Sequence, residues 1–148
     1  MKLKYRKKYA NENLLDRYIL TNPLIGESLP FIGKSLKEFM QKEDIIFLES
    51  LDDIVTIYRG TSLKEFCSPF YELGQSWTLS KRVASFFAFS YGNKKDISDR
   101  CVMSATIKKE FILGYISERE EYECIIDIVG LKNTELLKEI ILENVCKE

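Results

Sequence analysis

The apolar pattern of this chain changes once, at Asp53, and that change limits the class of fold open to it. Before Asp53 the spacing is helical. Leu14, Leu15, Tyr18 and Ile19 fall at i, i+1, i+4 and i+5, which predicts a short amphipathic helix from Asn11 to about Leu20. Asn22-Pro23 ends it, and Pro23 to Gly33 reads as a loop with two prolines and two glycines. Ser35-Leu-Lys-Glu38 is a capping box that opens a second helix, with Leu36, Phe39 and Met40 on its apolar face. After Asp53 strands take over. Ile54 to Arg59 is β-branched and aromatic, and Gly60 is expected to stop it. Ser62-Leu-Lys-Glu65 is a second capping box, starting a short helix that Pro69 limits. Gln75 to Thr78 reads as a strand. Ser80 caps a third helix with Val83, Ala84, Phe87, Ala88 and Tyr91 at helical spacing. Gly92 to Asp99 is a polar loop, and Cys101 to Ile107 and Tyr122 to Val129 read as strands. Asn133 then caps an expected last helix carrying Leu136, Leu137, Ile140, Ile141 and Val145. Helices first, then strands interrupted by short helices, is an α+β order and not a βαβ repeat.

The 148 residues, 45% hydrophobic and 30% charged, suit one domain spanning 1–148, with a helical lead-in over 1–52 and a β-rich core over 53–148. The net charge of -1 gives no global reason to bind a polyanion. Lys2, Lys4, Arg6, Lys7 and Lys8 nevertheless crowd the start, as a solvated tail or as a contact for nucleic acid or an acidic partner. The first residues are too charged for a signal peptide, and no apolar run approaches the ~20 residues of a membrane helix. A cytoplasmic location is expected, with delivery into another cell by a signal-independent route left open.

Histidine is absent from the sequence. No Ser-His-Asp or Cys-His pair can be built, so acid–base work falls to carboxylates. Cys67, Cys101, Cys124 and Cys146 form no C-x-x-C, so no metal site is expected, and their spacing suits reduced thiols. The glycines make neither a G-x-G-x-x-G nor a P-loop, so a nucleotide would have to be held another way.

Three signals remain. Arg59 ends an apolar strand, on the same face as Val55 and Ile57, where an arginine is costly without a partner. A strand-terminal arginine reaching for water is the plainer account. In Ser76-Trp77-Thr78 the two hydroxyls share one face and the tryptophan takes the other, as on any edge strand. Phe86-Phe87-Ala88 follows on a helix, where consecutive aromatics are ordinarily core. Glu121-Tyr122-Glu123 places two carboxylates on one strand face, about 6.5–7 Å apart along the chain. Such a pair can divide labour between a positive transition state and a proton. With Glu118 and Glu120 nearby, it is also a plain acidic lead into a strand.

In this order the signals resemble the R-S-E class of ADP-ribosyltransferases, the cholera-like and clostridial toxins, and especially their short bacterial and phage members. That pattern is an arginine ending the first strand, a Ser-x-Ser/Thr strand, an aromatic helix and an E-x-E strand. This sequence supplies Tyr58-Arg59-Gly60, Ser76-Trp77-Thr78, Phe86-Phe87-Ala88 and Glu121-Tyr122-Glu123, over residues 54 to 129. Trp77 stands where many members have threonine, and the helical look of the tail departs from the further strand the family implies.

The resemblance implies an ADP-ribosyltransferase-like fold, a split mixed or antiparallel sheet enclosing an NAD cleft. It implies NAD as substrate and no metal. It places Arg59 and Gly60 at the NAD phosphates or ribose, makes Glu123 the catalytic carboxylate on the ribose 2′-hydroxyl, and has Ser76 hold Glu123. Thr78 supports that strand, and Phe86 or Phe87 stacks on nicotinamide. The turn from Gly114 to Tyr122 presents the acceptor, with Tyr115, Tyr122 and Glu121 as acceptor contacts. E-x-E members modify arginine, so a protein arginine is the expected acceptor, with nucleic acid as another, and an inhibitory antidote protein is a conceivable partner. An NAD glycohydrolase and an inactive binding module are the competing readings.

Overall fold

The computed structural model describes residues 36–37, 40–90 and 97–141. The expected helix at Asn11–Leu20, the box residues Ser35 and Glu38, the basic cluster, most of the Gly92–Asp99 loop, and Cys146 lie outside them. Within them the chain is α+β, as the order of patterns implied. Helix α1, Lys42–Ser50, is followed by β1 (Ile54–Ser62), the single-turn α2 (Leu63–Phe66), β2 (Ser76–Thr78) and α3 (Lys81–Ser85). Strands β3 (Arg100–Lys108), β4 (Ile112–Ile116), β5 (Glu123–Ile126) and β6 (Leu137–Ile141) complete it.

The six strands form one sheet in the order β4-β5-β2-β1-β3-β6, and every pairing among them is antiparallel. No parallel pair occurs among the described strands, so the mixed alternative does not hold there. The sheet has a thick half and a thin joint. β1 and β3 pair along their full length, from Ile54↔Lys108 to Ser62↔Arg100. β1 and β2 share only Tyr58↔Thr78. The sheet is therefore nearly divided into β1-β3-β6 and β2-β5-β4.

Alternation decides which faces pack. Val55 and Ile57 are buried on β1, as are Trp77 on β2 and Ile125 and Ile126 on β5. Burying each such side chain fully contributes about 1.5–3 kcal/mol. Leu36 and Met40 join this core, and the Leu36 N–H donates to the Leu113 carbonyl at 2.9 Å.

Four expectations are corrected. Gly60 does not stop β1, which runs on to Ser62 with Gly60 opposite Val102. The glycine is there because α3 crosses the strand at backbone contact: a Cβ on Gly60 would overlap the Ala84 carbonyl and sit 2.6 Å from the Ala88 nitrogen. Gly114 does not begin a turn. It lies within β4 beside a register shift against β5, where a bulge favours glycine. The described part of the last apolar run is no helix: Leu137–Ile141 is β6, added to the free edge of β3, and Val145 lies outside the described residues. The second capping box is only half made. The Ser62 hydroxyl accepts from the Glu65 N–H at 3.0 Å, but the Glu65 carboxylate turns to Arg59 instead of the Ser62 N–H. Ser80 does cap α3, accepting from the Val83 N–H at 3.2 Å, and that helix widens into a π-turn over Phe86–Ser90.

Candidate active site

The thin joint is where the candidate residues meet. β1 and β2 part after Tyr58↔Thr78, and the Arg59 side chain crosses between them. Its Nη1 donates to the Ser76 carbonyl at 2.7 Å. Arg59 shares its strand face with the buried Ile57 and Thr61 and is itself only 17% exposed in its side chain. A cation so placed needs a partner, and Glu65 supplies it. Arg59 Nε donates to Glu65 Oε2 at 2.7 Å and Nη2 to Oε1 at 3.1 Å, a two-pronged pair. The Thr61 hydroxyl adds a bond to Glu65 Oε2 at 2.8 Å. Burial pushes the Glu65 carboxyl up, but Arg59's charge and hydrogen bonds, with Thr61's hydroxyl, together hold it below the ordinary glutamate value. The guanidinium also lies on Gly74, where a Cβ would stand 2.5 Å from Cζ.

Ser76 and Glu123 are joined across β2 and β5. Thr78 faces Glu123 and Ser76 faces Ile125, so Ser76 and Glu123 are diagonal neighbours on one face. The Ser76 hydroxyl donates to Glu123 Oε2. Arg59, Ser76 and Glu123 thus form one connected chain, through the carbonyl of Ser76 on one side and its hydroxyl on the other. Trp77 takes the opposite face, 1% exposed, with its Nε1 donating to the Gly74 carbonyl at 2.8 Å.

Thr78 braces the loop before β5. Its hydroxyl donates to the Glu121 carbonyl at 2.7 Å and accepts from the Ser80 N–H at 3.0 Å. The Leu79 N–H donates to the Tyr122 carbonyl at 3.1 Å. These bonds hold an unusual backbone. Arg119, Glu120 and Tyr122 have φ of 72°, 55° and 49°, in the left-handed region that non-glycine residues avoid.

That backbone corrects the E-x-E reading. Glu121 lies ahead of β5, which begins at Glu123, and the turned Tyr122 between them breaks the alternation on which a shared strand face rests. Glu121 does not open to solvent either: it is 5% exposed and Glu123 is wholly buried. The two are linked by a residue sequence reasoning missed. Arg119 Nε donates to Glu121 Oε1 at 2.6 Å, and its Nη2 lies 3.6 Å from Glu123 Oε1. An arginine four residues before a glutamate was the only signal available.

The aromatic candidates separate. Tyr115 is a core residue, 2% exposed and stacked on Phe47 at 4.7 Å, so it does not meet an acceptor; burial raises its phenol well above the ordinary range. Tyr122 is 37% exposed, at the turn. Phe86 is 46% exposed and meets the half-buried Phe87 edge to face, at 5.3 Å. Neither aromatic is a core residue, whereas Ala84 and Ala88 pack with Val102. Two clefts, of about 1080 and 470 Å³, lie along the other end of the sheet around Ile54, Lys108 and Phe111, and neither is bordered by Arg59, Ser76 or Glu123.

No family model matches this chain, and no curated protein or solved structure matches it either. Among the described residues no cluster of potential metal ligands occurs, and no helix is long and apolar enough to cross a membrane. Cys67, Cys101 and Cys124 are free thiols, the last two buried, and burial raises both of those.

Proposed function

We propose that this chain is a mono-ADP-ribosyltransferase that cleaves NAD at the nicotinamide–ribose bond and transfers ADP-ribose to a macromolecular acceptor, a protein arginine. The observation that carries the proposal is the hydrogen-bonded line from Arg59 through Ser76 to the buried Glu123. An arginine, a serine and a glutamate from three separate strands meet at the one place where the sheet nearly divides.

The chemistry suits these groups. As nicotinamide leaves with the bonding electron pair, positive charge grows on the ribose, and a fixed carboxylate in a dry site stabilises it strongly. Glu123 has that character, and Ser76 fixes its orientation. Arg59 supplies a rigid fork for the pyrophosphate, which would compete with Glu65 for the guanidinium. The acceptor nitrogen bonds to the ribose carbon and loses a proton to Glu121.

One observation favours a second reading. Glu121, on which transfer depends, is covered and already paired. Water needs no such group, so a glycohydrolase using the same Glu123 is the alternative. A pair of rates on Glu121→Gln separates them. In a transferase, labelled acceptor falls far more than nicotinamide release; equal losses reject the acceptor role and favour the hydrolase. Absence of nicotinamide release from wild-type protein supplied with NAD and a whole lysate would sink both.

A further inference from the structure

Arg119 is a cation lodged where the proposed reaction needs room. Its side chain is 1% exposed, with carboxylates 6% and 0% exposed on either side. It uses only one oxygen of Glu121; Oε2 is buried and has no hydrogen-bond partner among the described residues. The site therefore offers a planar fork more than Arg119 takes. The residue reaches this place through three left-handed, non-glycine positions, a conformation that persists only when its surroundings hold it.

We infer that Glu121 and Glu123 form a guanidinium subsite that Arg119 occupies as a plug in the resting protein, and that a guanidinium from another molecule displaces it. Charge balance is the reason. Withdrawing Arg119 leaves two buried carboxylates facing one another, which is unfavourable unless a second cation enters with it. Exchange of one guanidinium for another keeps the charge and can fill the vacant Oε2 lone pairs. Water or a neutral acceptor cannot do this. An ammonium matches the charge but lacks the fork. Binding at the subsite thus coincides with release of the 117–122 loop and places the incoming guanidinium beside Glu123, the carboxylate proposed to meet the ribose. The subsite itself stands on geometry; only its link to turnover rests on the transferase reading.

The test uses the full chain and methylguanidinium as probe, with methylammonium at equal ionic strength as control. In Arg119→Ala, methylguanidinium should raise the thermal midpoint, methylammonium should not, and wild type should respond little to either. Equal responses of wild type and variant, or of the variant to both cations, overturn the inference. If that variant does not fold, Arg119→Lys replaces it, with half-saturation by methylguanidinium about tenfold lower than in wild type because the resident fork no longer competes. An unchanged half-saturation overturns the inference again. These measurements need no NAD, so they stand even if nicotinamide release is never seen, a result that removes only the transferase reading. With NAD, Arg119→Lys should lower the KM for a guanidinium acceptor and leave the KM for NAD within about twofold. A fall in kcat with an unchanged acceptor KM would mark Arg119 as merely structural.

Discussion

The two halves of the sheet are built to opposite standards. In β1-β3-β6 the long β1–β3 ladder keeps register over its whole length, with ordinary extended backbone. In β2-β5-β4 the strands are short, β4 carries a register shift, and the loop into β5 holds every positive-φ non-glycine residue of the described chain. The first half also carries a register shift, where β6 joins β3 between Val102 and Met103, and it is stabilised chiefly by the unbroken β1–β3 ladder. The second holds buried carboxylates and an arginine in a strained turn. Local strain of this kind costs on the order of 1–3 kcal/mol per residue and survives only when the neighbouring structure over-determines it. The contrast separates a half held by one long ladder from a half in which a strained turn holds buried charges.

The largest expected effect tests the second half. Glu123→Gln keeps the volume and removes the charge, so nicotinamide release should fall by about 10²–10³-fold. NAD affinity, measured by titration, should change much less. Near-normal release by this variant would remove the role of Glu123 and with it the significance of the strained half.

Next comes the first half, at its point of closest packing. Gly60→Ala puts a methyl group into the α3 backbone, and overpacking of this kind costs about 1–3 kcal/mol or more. Urea unfolding should show the loss. A variant as stable as wild type would mean that α3 does not need to touch β1.

A smaller effect compares the halves directly, by one substitution in each. Glu120 is exposed at φ 55°. Glycine accepts that φ freely, so Glu120→Gly should be neutral or stabilise by up to about 1 kcal/mol after the entropy cost of glycine. Thr56 is exposed in the ladder opposite Thr106, and Thr56→Gly should destabilise by about 1 kcal/mol. The same sign at both sites, read from denaturation midpoints, would break the comparison.

The smallest concerns the joint between the halves. The Glu65 pKa is lowered in the folded chain, so its contribution to stability is complete above the unfolded glutamate value of about 4.3 and is lost as pH falls through the folded value. Wild type should therefore lose more stability than Glu65→Gln across that acid window. Parallel acid profiles would show that the Arg59–Glu65 pair adds nothing to the joint.

The sequence by itself determined the elements whose local pattern has one physical solution. The β-branched run at Ile54, the alternation around Trp77 and the apolar run at Cys101 became strands, and Ser80 became a cap, because burial on one face and hydroxyl capping act over a few residues. Of the expected Tyr122–Val129 strand only Glu123–Ile126 is strand, and Ile128–Leu131 is a 3-10 turn. The same alternation put Arg59 on the buried face of β1 and Ser76 on the face of Thr78. Tertiary structure decided the rest. Leu136, Leu137, Ile140 and Ile141 fit a helix by spacing, but the unpaired edge of β3 was there to be completed, and pairing across chain-distant residues outweighed local period. Glu65 carried a capping-box signature, but a buried guanidinium is a stronger partner than a backbone N–H, so its carboxylate went to Arg59. Glu121 looked like half of a strand-borne pair until Thr78 and Leu79 pinned the turn before β5 and Arg119 folded in beneath it. Which charges face one another depends on contacts between strands far apart in the chain, and no local periodicity encodes them.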